Sequence, residues 1–169
     1  QIETLRECGV NDIVIIRGYK KEMINYPGVR YYYNDNYENN NILASLFYAE
    51  KEMEGGFIAS YSDILYGKEI VKKLLASKAD ISIIVDTKWR QAYKARTEHP
   101  VSEAEKVLVE GNRVVKIGKD PISADEAYGE FIGLAKFSTK GAEILKTNYQ
   151  RVKEEFSGKP FQHELSLIH

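Results

Sequence analysis

Residues 56–66 read GFIASYSDILY, and the rest of the chain can be organised around them. Phe57, Ile58 and Ala59 form a short apolar run behind Gly55-Gly56, the pattern of a buried strand. Ser60-Tyr61-Ser62-Asp63 then turns polar, and residues 67–77 read as a helix. An acidic side chain therefore stands just beyond the carboxyl end of a strand expected to be central. In open α/β sheets ligands bind at that position. A lone carboxylate there suits Mg2+, which takes one or two protein carboxylates and completes its shell with water and phosphate oxygens. The same aspartate can also be read as a cap of the following helix or as the closure of the turn.

Upstream, residues 1–8 carry apolar side chains at Ile2, Leu5 and Cys8, and Gly9 supplies a helix stop. Residues 12–18, DIVIIRG, form a nearly continuous apolar strand of the kind buried on both faces of a parallel sheet. A helix running straight into a buried strand is half of a βαβ unit. The strand that should precede it is absent, so the sequence reads as beginning inside a domain. Residues 20–24 fit one helical turn, broken at Pro27-Gly28, and VRYYY at 29–33 is β-branched and aromatic, hence a strand. Residues 34–41 hold five asparagines and an aspartate, whose side chains bond nearby backbone and favour turns and caps. A helix over 42–53 follows, with Leu43, Leu46, Phe47 and Met53 facing inward.

Downstream, ADISIIVD at 79–86 is another buried strand with an acid at its exit, and residues 88–99 match neither period. Residues 105–110 and 113–118 alternate around Gly111-Asn112 and pair as a hairpin. A loop over 120–128 leads to a strand, GEFIGLAKF at 129–137. Ser138 caps a helix running to Phe156, with Gly141 early in it, and residues 162–169 form a last helical piece. Alternating strands and helices mean an α/β fold with a mixed sheet.

At 169 residues the chain has the length of one domain, able to bury roughly 70% of its unfolded surface. Its 24 basic and 25 acidic residues nearly cancel, so no global field favours nucleic acid or an anionic membrane. No apolar run approaches the roughly 20 residues of a membrane span, and the first residues lack a signal-peptide layout. Cys8 is the single cysteine, which excludes an internal disulfide and a cysteine zinc cluster; it reads as a small buried residue near a helix end. The composition is that of a reduced, cytoplasmic protein.

GVNDIVIIRGYKKE (9–22), VRYYYNDNY (29–37), FIASYSDILY (57–66) and GEFIGLAKFS (129–138) occur in an order that resembles the nucleotidyltransferases of the sugar-phosphate type. The chain is most similar to the cytidylyltransferases that act on phosphocholine or aminoalkylphosphonates, some of which are fused to phosphoenolpyruvate mutase. SYSDI, IVDTKWR (84–90) and EAEKV (103–107) favour the phosphonate branch. The resemblance implies a Rossmann-like, three-layer, GT-A-like domain over residues 1–169, with a mixed, mostly parallel sheet incomplete at the N-terminus and the domain cut short at both ends. It implies Mg2+-dependent transfer of a cytidylyl group from CTP to a small phosphonate or phosphocholine-like acceptor, with pyrophosphate leaving. Asp63 matches the family's metal-binding aspartate. Asn41 and Ser45 match nucleotide-binding positions, four apart on one helical face, while Ile42 stands where a second asparagine is expected. The family's glycine-rich phosphate loop and its second metal-binding acid have no counterpart here, so on this reading the chain alone does not turn over.

Asp86, Trp89 and Arg90 follow a strand in the region facing an acceptor. A carboxylate and an indole suit an ammonium head, and Arg90 or Arg96 suits a phosphonate. Glu130 is a second partner for the ammonium. Trp89 can instead be a core residue on a solvated helix. A sugar-1-phosphate nucleotidyltransferase of the same fold, and a catalytically silent nucleotide-binding fragment, are the competing readings. A sheet lacking its first strand should leave apolar surface uncovered, and self-association into a homo-oligomer is the expectation.

Overall fold

The longest strand of the molecule lies at its centre, late in the chain. In the computed structural model, which describes residues 1–94, 100–119 and 122–155, β7 (Gly129–Phe137) is hydrogen-bonded along both edges. β3 (Phe57–Ser60) lies against residues 134–137 of β7, and β4 (Ile81–Asp86) pairs with residues 130–137. β5 (Lys106–Glu110) meets Gly129 and Glu130, and β6 (Arg113–Gly118) closes the five-stranded sheet beyond it. The Gly111-Asn112 hairpin forms as the alternating pattern requires, with Glu110 opposite Arg113. A separate two-stranded parallel sheet pairs β1 (Val14–Arg17) with β2 (Arg30–Tyr33).

The α/β architecture with both pairing senses is as expected, but its balance is not. The β1–β2 pair is parallel, whereas every described pair involving β7 is antiparallel. The cause is topological: β7 enters between β3 and β4, which run in the same direction, and separates them. The strand expected to be central is therefore not the most buried. All four residues of β1 and all four of β3 are only half-buried, whereas Gly133, Leu134 and Ala135 of β7 are buried.

The helices cover this sheet. α1 (Ile2–Glu7) is short and has no fully buried residue, and Cys8, at its end, is half-buried rather than buried. α3 (Lys68–Ala76) turns Val71 and Leu74 into the core. The helix expected over 42–53 is divided: α2 (Ile42–Leu46) passes into a tighter 3-10 segment, Phe47–Met53, with a kink at Ala49. Ala49 and Met53 are buried there, and the Phe47 ring stacks 3.6 Å from that of Tyr149. That tyrosine lies on α5 (Thr139–Glu155), whose Ala142 and Leu145 are also buried. Trp89 opens α4 (Trp89–Tyr93), within the stretch that followed neither period. Arg96, His99 and the helical piece expected over 162–169 lie outside the described residues.

Ser138 caps α5 as the sequence suggests. Its hydroxyl accepts from the Gly141 amide at 3.0 Å and donates to Asp80 Oδ1 at 2.9 Å. Gly141 packs so closely on the Asp80 carbonyl that a Cβ would overlap that oxygen. Gly141→Ala should therefore destabilise by about 1–3 kcal/mol through overpacking, outweighing the ~1 kcal/mol gain in helix propensity. Thermal denaturation checks the sign: a raised Tm would show that the Asp80 loop yields easily.

Candidate active site

β3 and β4 both leave the large sheet at the end where β7 begins, so the two acidic exits anticipated from sequence share one rim. Beyond β3 the chain turns at Tyr61. Its amide donates to the Gly133 carbonyl at 2.8 Å, and its ring lies directly on Gly133. Gly133 has φ +83°, and a Cβ there would occupy the Tyr61 ring. The glycine marks an irregularity: Ile83 pairs with Ala135 but Val85 with Phe131, so β7 bulges beside the turn. From the other side, the Gln1 amide nitrogen donates to the Tyr61 and Ile64 carbonyls at 2.9 and 2.5 Å. The turn is pinned at both of its ends.

Asp63 projects from this pinned turn. It is exposed, and among the described residues its carboxylate takes no hydrogen bond. α3 begins at Gly67 without a side-chain cap, so Asp63 does not cap that helix. Burial, followed by the negative charges of Glu105 and Asp63, drives the Tyr61 hydroxyl well above its ordinary pKa and keeps it protonated. Among the described residues no group of three His, Cys, Asp or Glu side chains is arranged to hold a metal. A single free carboxylate beside an open rim suits a Mg2+ ion that also takes ligand oxygens and water, and does not suit a closed structural site.

Across the rim, Asp86 and Glu130 are directly paired in register, which puts both carboxylates on one face of the sheet. Like charges so placed repel, an arrangement that favours a cation between them. Asp86 Oδ1 accepts from the Lys88 amide at 2.7 Å, and Glu130 Oε1 accepts from the Tyr93 hydroxyl at 2.5 Å. Glu105 stands close by, and burial raises its pKa, with the Glu130 charge adding to the rise and Lys119 opposing it. Trp89, by contrast, is 1% exposed and among the most deeply buried side chains of the molecule. Its ring meets Tyr93 edge-on at 5.6 Å, so the indole serves the core and presents no open face to an ammonium group. Arg90 hydrogen-bonds the Ala124 carbonyl and lies 3.7 Å from Asp125, which spends its guanidinium on bracing the 123–127 turn.

Asn41 and Ser45 follow β2 of the small sheet, whereas Asp63 follows β3 of the large one. Asn41 is the N-cap of α2, its Oδ1 accepting from the Ala44 amide at 2.8 Å. Ser45 Oγ accepts from Asn34 Nδ2 at 3.1 Å. Local sequence pattern does not distinguish Asn34, Tyr61 or Glu105 from the residues around them; burial and neighbours do, and neither is written in local pattern. An open hollow of about 270 Å3, lined by Met53, Gly55, Thr139 and Glu143 among others, lies at the opposite end of β3 from Asp63.

No family model matches the chain. In sequence it is similar to the CTP:phosphoglutamine cytidylyltransferase of Campylobacter jejuni, 29% identical over 149 residues, which cover 82% of this chain and 59% of that protein. It is also similar to the choline-phosphate cytidylyltransferase of Streptococcus pneumoniae, 39% identical over 70 residues, 39% of this chain and 31% of that protein. In structure it matches the inositol-1-phosphate CTP transferase of T. maritima with a TM-score of 0.65 and 25% identity, over 93% of this chain and 60% of that one. The CTP:phosphocholine cytidylyltransferase of Streptococcus pneumoniae matches with a TM-score of 0.56 and 23% identity, over 95% and 66%. The chain thus has the α/β fold of the sugar-phosphate-type nucleotidyltransferases, and the proteins it resembles in sequence are cytidylyltransferases. It spans little more than half the length of the first of these relatives.

Proposed function

We propose that this chain is part of a cytidylyltransferase that moves the cytidylyl group of CTP onto a small phosphonate or phosphate acceptor bearing an ammonium group. The observation that carries the reading is the free Asp63 carboxylate on its pinned turn, at the same rim as the Asp86–Glu130 pair. The relatives' names, a phosphoglutamine and a choline-phosphate cytidylyltransferase, support both the nucleotide and the class of acceptor. An acceptor oxygen attacks the α-phosphorus in line and pyrophosphate departs, chemistry that rests on positioning and charge neutralisation. Asp63 holds Mg2+, which offsets the charge of the phosphates. Asn41 and Ser45 face the nucleotide, and Asp86 with Glu130 holds the acceptor ammonium. Trp89 and Arg90 support this wall from behind.

The test is pyrophosphate release by the full-length protein containing this chain, from CTP with Mg2+ and, in parallel, 2-aminoethylphosphonate, phosphocholine or glucose 1-phosphate. Turnover should require one of the ammonium-bearing acceptors and stop with EDTA. Equal or better turnover with glucose 1-phosphate would move the protein to the sugar-1-phosphate branch. Glu130→Gln should raise the KM for the ammonium acceptor about tenfold or more, the scale of a hydrogen bond to a charged group, and leave kcat nearly unchanged. Because it relieves the repulsion with Asp86, the same change should not lower Tm. A KM unmoved by Glu130→Gln removes this residue from the acceptor site.

A further inference from the structure

Asn34 is the one asparagine of the 34–41 run that is buried, at 2% exposure, and its amide is completely used. Nδ2 donates to Asn40 Oδ1 at 2.9 Å and to Ser45 Oγ at 3.1 Å. Oδ1 accepts from Asn40 Nδ2 at 2.9 Å and from the Asn36 amide at 3.1 Å. Two donors and two acceptors are all that a primary amide offers, so the group is held in one orientation and cannot flip without breaking four bonds. Its backbone is held as well, since the Asn34 amide donates to the Arg17 carbonyl at 2.9 Å, across the exits of β1 and β2.

This orientation has a consequence for Ser45. A hydroxyl has one proton and two lone pairs. Asn34 Nδ2 is a donor only, so it occupies a lone pair of Ser45 and leaves the proton unspent. Among the described residues no acceptor takes that proton. Asn40 is not in the same position, because its amide is turned back onto Asn34 through both of its atoms.

We infer that Asn34 is a positioning residue that locks the Ser45 hydroxyl as a hydrogen-bond donor towards a lone-pair atom of the bound nucleotide. This rests on the reading of Ser45 as part of a CTP site. Replacing the buried amide by a carboxylate, as in Asn34→Asp, keeps its shape and reverses its polarity. The Ser45 hydroxyl then donates inward to the new carboxylate and turns lone pairs towards the ligand.

The test is CTP binding, by calorimetry with Mg2+, to the full-length wild-type protein, Asn34→Asp, Ser45→Ala and the double variant, with Tm recorded for each. Ser45→Ala should weaken CTP about tenfold, the scale of one hydrogen bond. Asn34→Asp should weaken it by a similar factor, and the double variant should be no weaker than either single one, because both remove the same bond. A purely structural Asn34 would lower Tm but leave CTP affinity intact in the folded protein, or the two losses would multiply; either result overturns the inference alone. Failure of the full-length wild-type protein to bind CTP overturns the nucleotide reading and this inference with it. Should Asn34→Asp not fold, NMR of the Asn34 side-chain amide decides. Its signals should shift on CTP addition in the wild type and not in Ser45→Ala, and an unchanged response in Ser45→Ala overturns the inference.

Discussion

In the full-length protein, Asp63→Asn is expected to lower pyrophosphate release by about a hundred- to a thousand-fold, the loss typical of removing one preorganised electrostatic contact of roughly 3–4 kcal/mol in the transition state. Asparagine keeps the size and shape of the side chain and removes the charge. On the proposed reading that charge holds Mg2+ against the phosphates. Tm should be nearly unaffected, because the Asp63 carboxylate takes no hydrogen bond among the described residues and lies exposed on a turn held by other groups. A turn-closing or capping aspartate would give the opposite result, costing about 1 kcal/mol at most and leaving turnover intact, since asparagine is also a good cap. Measuring pyrophosphate release and Tm on one preparation separates the two. Raising the Mg2+ concentration should recover part of the lost rate. Near-normal turnover of Asp63→Asn at low Mg2+ would sink the metal-ligand role.

Trp89→Ala should be the most destabilising single substitution considered for this chain. The indole is 1% exposed, and removing a buried tryptophan typically costs about 3–5 kcal/mol through lost transfer energy and the cavity left behind. For a chain of this size that corresponds to a fall in Tm on the order of 10 °C. The milder Trp89→Phe tests the role. It keeps an aromatic ring against Tyr93 and should lower Tm by less, with the acceptor KM unchanged because no face of the indole meets the rim. A rise in acceptor KM with an unchanged Tm would return Trp89 to the binding site.

Comparison of the two acidic residues at strand exits shows how far local pattern reaches. Asp63 and Asp86 were both legible, because an apolar run followed by an acid is a local feature and α/β sheets place ligands at strand exits. That Asp86 stands opposite Glu130 depends on the register between β4 and β7, and that register shifts at the irregularity beside Gly133. No local pattern contains such a pairing. Trp89 was readable either as a ring for an ammonium or as a core residue, and burial alone decides in favour of the core.

By itself the sequence determined the element inventory. Periods of two and of about 3.6 are properties of short windows, so the 105–118 hairpin, the helix at 67–77 and the Ser138 cap are found where the residues put them. It did not determine which strand is central. DIVIIRG, GFIAS and GEFIGLAKF all read as buried, because apolar content reports a preference for burial and not the neighbour that satisfies it. Only the tertiary structure inserted β7 between β3 and β4, made their pairings antiparallel and left β1 and β3 half-buried. It likewise chose Asn34 from five asparagines of equal turn propensity. A buried amide must find partners for all of its hydrogen-bonding capacity, and those partners come from residues on either side of a folded loop and a helix.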